Sequence, residues 1–137
     1  MLSLKDWVRS LSGTKLPVLR ATLGSLAGLK AREESITARD VSKVVLQDPL
    51  MALHVLRYSQ SRITQRQLTE ITTIERVLMM FGLGSFFRHC ADLKAIEDVL
   101  APYPVALQGA LGVMSRADHA AHYARAIAGL RFDVEVD

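Results

Sequence analysis

The chain is 137 residues long, enough for one domain of ordinary size and too short for two. Half of it is apolar and 23% is charged, which excludes an intrinsically disordered chain and suits a filled core. The net charge of +3 is too small to require a polyanionic partner, and no run approaches the roughly 18 apolar residues of a membrane span.

A first helix is predicted from about Ser3 to Leu11, ended by Ser12 and Gly13, with Trp7 as its anchor to the core. Lys15-Leu16-Pro17 then opens a second helix, Pro17 being suited to a first turn, and Leu16, Leu19, Leu23, Leu26 and Ala27 form its apolar stripe. Thr37 caps a third helix through Leu46, with Ile36 and Val41 at the staple positions around the cap. Asp48-Pro49 is a strong start for a fourth helix to about Tyr58, because the carboxylate accepts orphan amides and Pro lacks the amide that would be orphaned. Residues 59–69 are polar and read as a loop.

Thr72 and Glu75 have capping-box spacing for a fifth helix through Phe81, stopped by Gly82. Ser85 caps a sixth to about Leu100, which Pro102 and Pro104 break. A long helix follows from Val105 to about Ala128, with Gly109 and Gly112 as sites for a kink. Nothing alternates at strand period, so the expectation is an all-α, compact bundle of about six to seven helices in one domain, 1–137.

Charge is unevenly placed. Residues 1–90 carry 13 Lys/Arg against 7 Asp/Glu (+6), and residues 91–137 carry 4 against 7 (−3). An acidic partner for the first part is one reading, ordinary solvated faces the other. The start of the chain, Met1 to Asp6, lacks the basic stretch and apolar run of a secretory signal. Cys90 is the single cysteine and has no internal disulfide partner, so the chain reads as cytoplasmic.

The order of the signals carries a resemblance. Lys15-Leu16-Pro17, Glu34-Ser35 and Gln47-Asp48-Pro49 are followed by Leu53-x-x-Leu56-Arg57-Tyr58-Ser59-Gln60-Ser61. Then comes Ile71-Thr72-Thr73-Ile74-Glu75-Arg76-Val77-Leu78-x-x-Phe81-Gly82. From about Leu16 to Ala128 the chain resembles an HDOD domain, the HD-related output domain of bacterial signalling proteins. The resemblance implies a helical bundle related to the metal-dependent HD phosphohydrolases but usually lacking their ligands, tied to bacterial signal transduction and cyclic-dinucleotide networks. Two departures stand out. Gln60-Ser61 replaces the family's Asn-Ser, and Arg116, at the head of Arg116-Ala117-x-x-Ala120-Ala121-x-x-Ala124-x-x-Ile127-Ala128, stands where the first metal-ligand His belongs. A cation there repels a divalent metal and cannot ligate it. The chain also stops at Asp137, about where the helix bearing the His-Asp doublet should begin, which implies the N-terminal part of such a domain.

The remaining chemical candidates are thin. Asp118, His119 and His122 are the most metal-like group, but two His three apart fall short of the three protein ligands of a catalytic zinc site. His89 and Cys90 diverge by about 100° around a helix. Cys90 reads as a small buried hydrophobe and His54 as a hydrogen-bonded core histidine. Gly82-x-Gly84 precedes a helix without the strand and Lys of a phosphate loop, and no Gly-x-Ser-x-Gly setting is present. Residues 36–58 have the outline of a helix-turn-helix, yet Leu50, Met51, Ala52, Leu53, Val55, Leu56 and Tyr58 crowd the helix that would read bases.

The sequence therefore reads as a non-catalytic regulatory module with no cofactor or metal, acting on a protein partner, with Arg57, Arg62 and Arg66 as partner or phosphate contacts. A nucleic-acid-binding domain and a degenerate phosphohydrolase fragment are the alternatives. A two-fold homodimer is also expected, because Val105, Leu107, Leu111, Val113, Met114, Ile127 and Leu130 spread too widely around the last helix for one stripe.

Overall fold

In the computed structural model, residues 3–12, 14–60 and 73–132 are described, with the side chains of all but 7, 10–12, 131 and 132. Trp7 as a core anchor, the polar segment beyond Gln60, and Thr72 thus lie outside what is described. The protein is all-α, with eight helices among the described residues. They are α1 (Leu4–Ser12), α2 (Arg20–Lys30), α3 (Ala38–Val45), α4 (Pro49–Gln60), α5 (Ile74–Phe81), α6 (Leu83–Cys90), α7 (Ile96–Val99) and α8 (Pro104–Phe132).

Apolar residues at 3–4 spacing build the core. Val41 and Val45 of α3, Met51 and Val55 of α4, and Ile74, Val77 and Leu78 of α5 each line one face of their helix and are buried together with Phe86 and Phe87 of α6. α3 packs between α2 and α5, α5 packs on α4 and α6, and α8 leans on α4. The ends follow from short-range chemistry. Thr37 accepts from the Asp40 amide while the Asp40 carboxylate accepts from the Thr37 amide at 2.9 Å, a complete capping box for α3. These Thr37 hydrogen bonds, backbone then hydroxyl, hold the Asp40 carboxyl below its usual range, so the box is lost as acid protonates it. Thr37→Ala should cost about 0.5–2 kcal/mol in urea unfolding, and a neutral result would mean that the cap contributes nothing.

Three expectations are corrected. Pro17 does not open a helix: Leu16 to Leu19 precede α2, and its stripe reduces to buried Thr22 and Leu26, with Leu23 and Leu29 partly covered. Val18 spends both backbone groups on a parallel bridge to the segment before α7, donating to Lys94 O at 3.0 Å and accepting from Ile96 N at 2.8 Å. The cap of α5 is Thr73, which accepts from the Arg76 amide, so the pair moves one residue from the expected Thr72–Glu75. Lastly, the helix expected over 85–100 divides. α6 starts directly after Gly82, whose φ of 77° lets α5 end and α6 begin without a linker, and it stops at Cys90 so that Lys94 to Ile96 can bridge Val18. With that division the described residues form eight helices, against the six to seven expected. Pro104 opens α8, which runs as one helix of 29 residues with no break assigned at Gly109 or Gly112.

Candidate docking groove

Asp48 sets the position of α4 and is fully buried. Its Oδ1 accepts from the Leu50 amide at 2.9 Å and the Met51 amide at 3.3 Å, capping α4. Its Oδ2 accepts from the Leu19 amide and the Thr22 hydroxyl, both at 2.8 Å, at the start of α2. One carboxylate thus joins two helix N-termini that are far apart in sequence. His54, one turn further along α4, adds a hydrogen bond between its Nε2 and Leu16 O.

With α4 held this way, its outer face looks across a groove at α8. The groove has a volume of about 610 Å³. Leu53 and Leu56 of α4 form one wall with Ile74 and Val77 of α5, and Ala117 and Ala121 of α8 form the other. Leu53 and Leu56 lie side by side on α4 and are each 46% exposed. Met114 is the one buried residue of α8 among those whose side chains are described. The groove is edged by Asp118, His122 and Arg125. Their spacing of four and three puts them on one face of α8. Among the described residues neither Asp118 nor Arg125 makes an ion pair.

The residues singled out from sequence are dispersed. Of the metal-like trio, Asp118 and His122 edge the groove, whereas His119 does not line it. Among the described residues no group of three His, Cys, Asp or Glu converges as metal ligands would. Arg57 is exposed on the last turn of α4 and donates to Thr14 O at 3.1 Å, while Arg62 and Arg66 lie outside the described residues. Arg116 is exposed. His89 packs on the Tyr58 ring with centroids 4.3 Å apart, away from Cys90 chemistry. A methyl group on Gly84 would meet Glu33 Oε1 at 3.3 Å, so a carboxylate already approaches the α6 start that was a weak anion candidate. The groove itself was missed. Its signal was the pairing of Leu53 and Leu56 with small Ala117 and Ala121, which only the packing brings face to face.

Cys90 is buried, and burial pushes its thiol up to about 12, outweighing the lowering by nearby Lys15. Because the unfolded thiol ionises first, stability falls as pH rises above about 9. Iodoacetamide at pH 8 should label Cys90 at least tenfold more slowly in the folded chain than in guanidinium. Equal rates would place the thiol at the surface.

No protein-family model, no curated protein and no solved structure matches this chain. Among the described residues no helix is long and apolar enough to cross a membrane.

Proposed function

We propose that this chain is a non-catalytic signalling module of HDOD type that acts by seating a segment of a protein in the groove between α4, α5 and α8. The observation that carries the reading is the exposed apolar wall of Leu53 and Leu56 facing Ala117 and Ala121. Contiguous apolar surface of this kind marks an interaction site. The ordered motifs from Leu16 to Ala128 supply the signalling context, and Arg116 at the ligand position supports a bundle without phosphohydrolase chemistry. Nucleic acid fits less well. Met51, His54, Val55, Tyr58 and Ser59 of α4 are buried, and its outer side presents Leu53 and Leu56 where base reading needs polar groups.

A photo-cross-linking residue at Leu53 should give one discrete protein adduct in the native cell, whereas one at exposed Lys30 should give none. No adduct at Leu53 overturns the reading. The purified chain should also release no phosphate from phosphomonoesters or cyclic dinucleotides with added manganese or zinc, and should keep no metal through dialysis. About one metal per chain, or turnover removed by His122→Ala, would restore the phosphohydrolase alternative.

A further inference from the structure

We propose that the occupant of the groove is α8 of a second copy of this chain, inserted antiparallel about a two-fold axis between Ala121 and His122. The inference rests on the docking reading above and names its partner. It begins with α8 itself. Met114, Ala117, Ala121, Ala124 and Ala128 recur at alternating spacings of three and four, the seam of a helix that packs on another helix, and of these Ala117 and Ala121 line the groove. The seam starts buried at Met114, continues as the groove wall and runs on past it. At 100° per residue, Tyr123, Ile127 and Leu130 fall on the side away from that seam. They are 66%, 57% and 87% exposed.

The second half of α8 is thus apolar on two faces about 130° apart, and a helix apolar on two faces belongs between two neighbours. A groove between helices offers two such neighbours. An α8 laid in the groove of another copy sets its small-residue seam against the seam of the resident α8. It turns its Tyr123, Ile127 and Leu130 toward Leu53 and Leu56. Alanines on both seams permit close approach of the two axes.

Charge selects the direction and register. Antiparallel pairing about an axis between 121 and 122 matches positions that sum to 243, so Asp118 faces Arg125 of the second copy and Arg125 faces its Asp118. Both groups edge the groove and neither has an ion-pair partner within the described chain. A parallel pairing in register would carry the two copies' Asp118 and Arg125 to opposite sides of the seam, where they do not meet. The operation is reciprocal, so each groove and seam counts twice toward the roughly 1,200 Å² that a specific interface buries.

Light scattering on the full chain should give twice the chain mass at micromolar concentration, with the dimer weakening as salt is added. Asp118→Arg puts Arg against Arg at both symmetry-related contacts, and Arg125→Asp puts Asp against Asp. Each should weaken the dimer about 10- to 100-fold while circular dichroism stays helical. Mixing these two variants should restore dimers, because every contact across a mixed pair is again opposite in charge. Wild-type chain that stays monomeric to about 100 µM, a dimer indifferent to both substitutions, or a mixture that fails to pair would each overturn the proposal. The Leu53 cross-link separates the two levels. An adduct of twice the chain mass supports the second copy, and one of another mass on a monomeric chain leaves docking intact and sinks the second copy. No adduct sinks both.

Discussion

Replacing Asp48 with Ala should cost about 3–5 kcal/mol, several times the effect of an ordinary helix cap. A surface N-cap contributes about 1 kcal/mol, because water satisfies the released amides. Asp48 has no exposure, and its two oxygens serve four donors: the amides of Leu19, Leu50 and Met51 and the hydroxyl of Thr22. Without the carboxylate those donors stay buried and unpaired, at about 1–3 kcal/mol each before relaxation. Urea unfolding should therefore separate Asp48→Ala clearly from Thr37→Ala. Asp48→Asn should fall between them, since an amide keeps one acceptor and turns an N–H toward donors. A double-mutant cycle with Thr22→Val should give a coupling of about 1 kcal/mol or more. An Asp48→Ala cost equal to that of Thr37→Ala would mean that the carboxylate caps α4 alone and leaves α2 untied.

Met114→Ala should be the next most costly change tied to the groove, at about 2–5 kcal/mol for a buried Met truncated in a close-packed site. Among the described side chains of α8 only Met114 is buried, with Leu107 and Leu111 partly covered. The loss should therefore be regional. Amide exchange should accelerate along α8 and at the facing turns of α4, while the Val41–Val45 and Val77–Leu78 core keeps its protection. Uniform acceleration would show instead that α8 unfolds only with the whole bundle.

These two residues also mark how far the chain could be read without its fold. Asp48-Pro49 as a helix start and Thr37 as a cap depend on interactions within four residues, so the pattern of side chains sufficed, as it did for the all-α class. Helix ends went wrong where a distant segment competed for the same backbone groups. Pro17 looked like a first turn, but Lys94 and Ile96 claim Val18, and Asp48 claims Leu19, from 29 residues or more away. The expected helix over 85–100 divided for the same reason. The groove lay further out of reach. Leu53 and Leu56 read from sequence as part of a buried helix, yet each is 46% exposed, and Asp118, His119 and His122 read as a metal-like group of which His119 does not line the groove. Which apolar face is covered depends on what packs against it, and α8 leans on α4 while leaving Leu53 and Leu56 exposed along the groove between them. Short-range periodicity and capping chemistry determined that this chain is a helical bundle. Long-range packing alone decided that Leu53 and Leu56 would face Ala117 and Ala121 across open space, because hydrophobic burial has no direction until neighbouring helices give it one.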